Sequence, residues 1–592
     1  MTAKTIRIGC AAGFWGDSLG AAPQLVAKGE IDYLVFDYLA EITMSILARA
    51  RAKNPEHGYA LDFVSETMRR TLPAIAASGM RVVSNAGGVN PLACAQALEA
   101  LIAELGLSLT VAVVDGDDLM DKAEALAATG VREMYSGDPF PEEPLSVNAY
   151  LGALPIARAL TRGADIVITG RVVDSAVTLG PCIHAFGWTQ DDYDRLAAGS
   201  LAGHIIECGA QATGGLFTDW HDVPGWENIG YPIAEIAADG ACVITKPKGT
   251  GGLVNVATVA EQLVYEIGDP AAYVLPDVVC DFSDVHIEQR GHNRMRLSGA
   301  KGRAPTPTCK VSATWQDGYR LGATLSIIGR EAEDKARATA NAVLARVRAM
   351  LATMGAANFR AVDVEILGAE AIYGPHRRVQ PPREVILKIA ARHDQRGPLN
   401  LLLRELTSAG TSMAPGTTGM GGNRPRVMPL IRLFSFLRTK DDIHPRITIG
   451  GESESMPFPA GQPLTDGKSE KPPAPEIADS IEVPLIRLAW ARSGDKGDDA
   501  NIGVIARRPD YLPYIRAALS SQAVAAWFSH LIEGPVERFE WPGIDGLNFV
   551  LHRALAGGGI ASLRNDPQGK SYAQILLDFP VPVPKGLAAG TA

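Results

Sequence analysis

The stretch Asp165-Ile-Val-Ile-Thr-Gly-Arg-Val-Val-Asp174 decides the fold. Its β-branched apolar run ends at Thr169-Gly170, and a helical pattern follows from Ser175 toward Ala185. Strand, glycine turn and helix in that order is the repeating unit of a parallel sheet, because parallel strands need a crossover rather than a hairpin. Arg171 and Asp174 stand where the strand ends, and ligands of open α/β sheets collect outside the carboxyl ends of the strands. The planar fork of Arg171 suits a carboxylate. Asp174 is a candidate acid–base group or, on the plainer reading, a cap for the following helix.

Upstream, three more strand candidates end in similarly loaded loops. Residues 5–11 break at Gly13-Phe-Trp-Gly-Asp-Ser18, residues 80–84 run into Asn85-Ala-Gly-Gly-Val-Asn-Pro91, and residues 107–114 run into Asp115-Gly-Asp-Asp118. A further strand is expected over 31–39, and a helix over 148–162 leads into the opening strand. Asp17, Asn85, Asp115 and Arg171 are therefore expected to converge on one substrate pocket. Each alone has an ordinary turn reading, since turns favour Asn and Asp. Their shared place at strand ends is what singles them out.

Downstream, Gly203-His-Ile-Ile-Glu-Cys-Gly209 puts a histidine, a carboxylate and a thiol within one turn of chain. On a helix His204 and Cys208 share a face, with Glu207 beside them. His204 and Glu207 are candidate catalytic groups; Cys208 reads more simply as a small buried thiol. Lys246-Pro-Lys-Gly-Thr-Gly-Gly252 precedes a helical pattern. Lys246, Gly249, Gly251 and Gly252 would cradle a phosphate or carboxylate, including that of coenzyme A, or form a glycine turn with solvated lysines. The run 331–354 is the clearest amphipathic helix, and strands are expected over 362–367 and 384–390.

Residues 451–479 hold six prolines and almost no aliphatic side chains, the composition of a linker. The chain thus divides into an α/β region with a largely parallel sheet over 1–450, with a subdomain break near 240–330, the linker, and an α+β domain over 480–592. In that last domain strands are expected at 483–490, 502–506, 547–555 and 573–583, with helix near 513–525.

Composition narrows the function. The 592 residues are 46% hydrophobic and 21% charged, with a net charge of −10, which argues against nucleic-acid binding. No run is long enough to cross a bilayer, and the start reads directly into a strand without a leader pattern. Seven scattered cysteines without Cys-x-x-Cys fit reduced thiols, so a cytoplasmic location is expected. Walker, dinucleotide, nucleophile-elbow and zinc-protease signatures are absent. Asp115, Asp117 and Asp118, or Asp495, Asp498 and Asp499, would suit Mg²⁺ or Ca²⁺, but acidic loops are more often solvated and no metal is expected.

Taken together, Gly13-Phe-Trp-Gly-Asp17, Asn85-Ala-Gly-Gly88, Thr169–Asp174, Gly203–Cys208 and Lys246–Gly252 resemble the acyclic terpene utilisation A (AtuA) family. Ala491-Arg-Ser-Gly-Asp-Lys-Gly-Asp498 and Gly557-Gly-Gly559, Ser562-Leu-Arg564, Asp566 and Gly569-Lys570 resemble that family's ferredoxin-like C-terminal domain. The resemblance implies a part in the catabolism of branched terpenoids such as citronellol and geraniol, whose intermediates are acyl-CoA thioesters. It does not imply particular catalytic residues. By elimination of redox, ATP and serine-hydrolase signatures, a lyase or hydratase acting on a carboxylate or acyl-CoA is expected, with coenzyme A entering as part of the substrate. His204 or Glu207 would be acid or base, and Arg171 and the 246–252 loop would hold the anion. A non-catalytic acyl-CoA-binding or accessory subunit and a Cys208-dependent hydrolase are the alternatives. A homo-oligomer is expected from size and role.

Overall fold

The computed structural model describes residues 4–419, 425–464 and 480–588. Five strands, Thr5–Cys10, Tyr33–Phe36, Arg81–Ser84, Ile166–Thr169 and Val111–Asp115, lie side by side in that order and run parallel. They are short, apolar and covered on both faces, as parallel strands require. Alternate side chains feed two cores. Ile8, Val35, Val83 and Val167 enter one, while Leu34, Phe36, Val82, Ile166 and Ile168 enter the other. The helices Ala176–Phe186 and Tyr193–Ile206 cover the first face, and Ala21–Lys28, Arg69–Ser78 and Pro91–Glu104 the second. The sheet continues antiparallel at both flanks, to 11 strands among the described residues.

Residues 148–162 are not one helix. Pro144–Ala149 is a strand, and the helix is only Leu154–Thr161. The run Ser146-Val-Asn-Ala149 alternates polar and apolar residues, and its partner decides the matter: it pairs with a 21-residue strand, Thr308–Ile328. That long strand also pairs with Met428–Thr439 along its first half and Glu384–His393 along its second. A bulge between Gln316 and Tyr319 lets it serve both. Val311 and Ala313 belong to the first core, whereas Leu321, Ala323, Leu325 and Ile327 join a separate core under the helices Ala332–Thr353 and Arg396–Ser412.

Of the stretch expected as linker, Glu452–Ser455 pairs with Arg446–Ile449 at the sheet edge, and residues 465–479 lie outside the described residues. The C-terminal domain is α+β. Its sheet runs Ala489–Lys496, Asp499–Ala506, Gly546–Leu551, Val536–Trp541, all antiparallel. The expected helix near 513–525 is two, Leu512–Ala518 and Ser521–Trp527, the second capped by Ser520. This domain docks firmly on the rest. Asn501 Nδ2 donates to the Val264 carbonyl at 2.8 Å, Asn548 Nδ2 to Ile267 at 2.7 Å, and the buried Trp541 Nε1 to Phe282 at 2.8 Å. Gly503 leaves no room for a side chain of its own, so the Val264 side chain packs directly on its backbone.

Candidate functional site

Each parallel strand delivers its next residues to the same end of the sheet. After Tyr33–Phe36 comes Asp37; after Arg81–Ser84 comes Asn85. Both are buried, and Asn85 joins the two loops. Its Oδ1 accepts from the Tyr38 N–H at 2.7 Å and its Nδ2 donates to Asp37 Oδ1 at 2.5 Å. Arg171, from the opening stretch, is 4% exposed. Its guanidinium lies 4.3 Å from the Tyr150 ring centroid, donates to the Leu39 carbonyl and pairs with Asp174 Oδ1 at 3.0 Å. The backbone N–H of Arg171 donates to Asp117 Oδ2 at 2.8 Å, which also receives Asn148 Nδ2 at 2.8 Å. Burial lifts Asp117 to about 7 despite those donors.

Arg171 also borders a small recess with Met44, Ser146, Asn148, Tyr150, Ser312 and Thr314. Its hydroxyls bond to one another, Ser146 to Thr314 at 2.6 Å and Ser312 to Tyr150 at 3.4 Å, so the guanidinium is the group there suited to a carboxylate.

His204 lies in the last turn of Tyr193–Ile206, and Glu207 follows as that helix ends. Both are buried. His204 Nε2 is 3.1 Å from the Leu263 carbonyl oxygen, and Nδ1 is 3.1 Å from Glu207 Oε1. A carbonyl only accepts, so Nε2 carries hydrogen. Burial holds the imidazole down at about 4, leaving it neutral near pH 7, so Nδ1 is an acceptor. Glu207 must then donate: its carboxyl is protonated. Burial, and next the charges of Asp174 and Glu266, push Glu207 well above the ordinary range, in agreement with that assignment. Glu207 Oε2 is buried with no hydrogen-bond partner among the described residues. Asp37 is also pushed well up, by burial first and then by Asp174 and Glu207. Three carboxyl groups thus share the influence of one guanidinium, Arg171, which contacts Asp174, and their mutual repulsion disfavours ionising all three together.

Two further expected contacts sit elsewhere in the network. Asp115 turns outward to a bidentate pair with Arg446, at 2.9 and 3.0 Å. Asp17 ties the first loop together, accepting from the Gly13 N–H at 3.0 Å and the Tyr231 hydroxyl at 2.5 Å. That loop nevertheless touches the site, since Gly13 packs directly on the Cys208–Gly209 backbone. Cys208 is pushed far up by burial and then by the Glu207 charge, a setting that keeps a thiol protonated.

The 246–252 loop faces its own neighbours. Lys246 Nζ donates to the Thr250 carbonyl at 2.8 Å, the Gly251 N–H to Asn228 at 2.8 Å and the Gly252 N–H to Pro224 at 2.7 Å. Gly251 abuts the Gly225 carbonyl, and Gly249 and Gly252 adopt positive φ of +73° and +89°. The glycines serve a close backbone crossing.

Asp115, Asp117 and Asp118 turn to separate partners, Arg446, Arg171 and Arg51, and Asp495, Asp498 and Asp499 turn to Lys570, Gly557 and His552. Among the described residues no group of three or more His, Cys, Asp or Glu side chains is placed to hold a metal ion. No helix there is long and apolar enough to cross a membrane.

Several neighbours were not singled out from sequence. Asp37 was hidden by reading the second strand through to residue 39; ended at Phe36, the strand-end rule finds it. Tyr273, whose ring lies 5.8 Å from His204, comes from a two-residue strand, Tyr273–Val274, that carries no periodic signal. The C-terminal domain reaches the same place. Lys496 Nζ lies 5.5 Å from the Tyr273 ring centroid, and Lys570 Nζ bonds to Glu266 at 3.2 Å and Asp495 at 3.1 Å.

No curated protein and no solved structure matches the chain. Family models do match, over residues 6–449 and 483–582, so that both the strand-end cluster and the domain docked against it are covered. The chain belongs to the acyclic terpene utilisation AtuA family and ends in an AtuA ferredoxin-like domain.

Proposed function

We propose that the protein is an enzyme of acyclic terpenoid or branched-carboxylate catabolism that performs lyase or hydratase chemistry on a small carboxylate or its coenzyme A thioester. The observation that carries this reading is the buried 3.1 Å hydrogen bond between Glu207 and His204, in a setting where burial and the Asp174 charge favour the protonated carboxyl. A proton donor and a carboxylate base standing together are what elimination next to a carbonyl needs.

In the forward sense the Asp174 carboxylate takes the proton from the carbon beside the carbonyl. Electrons move toward the carbonyl oxygen, where a cation stabilises the developing enolate. As the double bond forms, the carbon–oxygen bond of the β-hydroxyl breaks, and Glu207 gives that oxygen its proton, so that water leaves. Addition of water is the same path reversed. Arg171, with the recess around Ser146, Ser312 and Thr314, holds the ligand's anionic end. Cys208 has no part in this scheme, because burial keeps its thiol protonated.

The test is exchange of the α-hydrogen in heavy water, followed by proton NMR, using isovaleryl-CoA and its 3-hydroxy derivative with the free acids alongside. The wild-type protein should wash deuterium into the α-position of the ligand it binds. Glu207→Gln should retain that exchange but slow water loss by roughly 10²–10⁴-fold. A ligand that binds yet shows neither exchange nor water loss would sink the reading and favour an accessory binding role.

A further inference from the structure

We propose that Lys496, carried in by the C-terminal domain, is a second ligand-anchoring cation that completes the strand-end site across the domain junction. The claim rests on the reading of that site as one for a carboxylate or acyl-CoA.

The geometry begins with Glu207 and runs outward. Glu207 bonds to His204 at 3.1 Å, the His204 ring lies 5.8 Å from Tyr273, and Lys496 Nζ stands 5.5 Å from the far ring's centroid. Lys496 is exposed and its ammonium makes no hydrogen bond or ion pair among the described residues. Lys570 is different: Glu266, Asp495 and the Tyr265 hydroxyl already occupy it. Lys496 is therefore the cation of this junction left open to a ligand.

Its position is fixed by packing rather than chance. Lys496 ends the strand Ala489–Lys496 and pairs in register with Asp499 across a turn at Gly497-Asp498. Three residues beyond the turn, Asn501 Oδ1 accepts from the Glu266 N–H at 2.9 Å and its Nδ2 donates to Val264 at 2.8 Å. Gly494 has no room for a side chain against Tyr265 and Glu266, so the hairpin lies flush on the turn that ends the helix Val256–Val264. Glu207 and His204 both feel the Lys496 charge, and Glu207 feels Arg171 as well. A bound anion near Glu207 would thus feel both a buried guanidinium and an exposed ammonium. Asp174, its side chain 39% exposed, opens to solvent beside Arg171. The pattern explains why a small domain of separate fold is held so tightly here.

The experiment is isothermal titration of the full chain with isovalerate, its uncharged primary amide and isovaleryl-CoA. The proteins compared are wild type, Lys496→Met, Lys496→Arg and, as a control at an exposed site, Lys28→Met. Lys496→Met should weaken acid binding about tenfold, in line with loss of one charged contact, and leave the amide unaffected. Lys496→Arg should recover most of the acid affinity, and Lys28→Met should behave as wild type. The melting temperature should not move in any of them. Where only the thioester binds, the same comparison between wild type and Lys496→Met applies to it. Equal acid or thioester affinity in Lys496→Met overturns the proposal while the carboxylate reading stands. Equal losses for acid and amide, with a lowered melting temperature, would make the lysine structural and also overturn it. Binding of none of the three compounds by the wild type would remove the carboxylate reading and this inference together.

Discussion

The strand-end cluster and the 246–252 loop look alike as sequence, each a turn of glycine with cations. In the folded chain they differ in where their polar atoms go. The glycine loop satisfies itself: Lys246 bonds to Thr250, and the Gly251 and Gly252 amides bond to Asn228 and Pro224. The strand-end cluster instead leaves Glu207 Oε2 without a partner among the described residues and sets Asp37, Asp174 and Glu207 within one another's electrostatic reach, with Arg171 paired to Asp174. Buried polar atoms are normally paired, so an orphan inside a charged cluster marks a place shaped for something else. Motif chemistry nominates a loop; accounting for each N–H and each oxygen decides between nominees.

The contrast can be broken most sharply at Arg171. Arg171→Ala strips the buried cation from three carboxyl groups, which should destabilise the protein by about 3–5 kcal/mol in urea denaturation. A loss below about 1 kcal/mol would mean the carboxyl groups do not depend on it, and the cluster would be no more special than the glycine loop. Asn85→Leu comes next. It removes the bridge between Asp37 and the Tyr38 N–H, and the same measurement should show about 1–3 kcal/mol. An unchanged midpoint would show the two strand ends to be independent.

Lys246→Met sharpens the other side. Losing the Nζ bond to Thr250 should cost about 1 kcal/mol and leave ligand affinity as in wild type. A tenfold loss of isovaleryl-CoA affinity without loss of stability would return the loop to the binding site. A last expected change is one of slope with pH. Asp117 is raised from 3.8 to about 7, so the folded state keeps a proton that the unfolded chain has already released. Its contribution is complete below pH 3.8 and is lost as pH rises through about 7. The difference in unfolding free energy between Asp117→Asn and wild type should therefore shift steadily in the variant's favour from pH 4 to 7. A flat difference curve would mean Asp117 is ionised in the fold.

Much of this architecture was legible in the sequence because parallel strands buried on both faces are continuous apolar runs with punctuated ends. Ile166–Thr169 and its Gly170 turn carried that signal plainly, as did the Pro91 helix start. Pro144–Ala149 did not. A short apolar run fits helix or strand equally, and only the partner strand Thr308–Ile328, distant in sequence, settles it. The site shows the same division. His204, Glu207 and Arg171 could be nominated from local spacing. Their protonation could not, because it depends on the Leu263 carbonyl and on the burial that tertiary packing creates. Tyr273 and Lys496 arrive from a two-residue strand and from another domain, where no periodicity points to them.

The strand Thr308–Ile328 carries one last consequence. It contributes Val311 and Ala313 to the large core and Leu321 and Leu325 to the smaller one, while Trp541 and Ile505 of the C-terminal domain are themselves part of the large core. A segment owned by two cores cannot be released from one without tearing the other, and a third body is keyed into the first by its own tryptophan. Melting should then be a single concerted event, one heat-capacity peak for three lobes, and pieces cut at the apparent boundaries should not survive as separate folds.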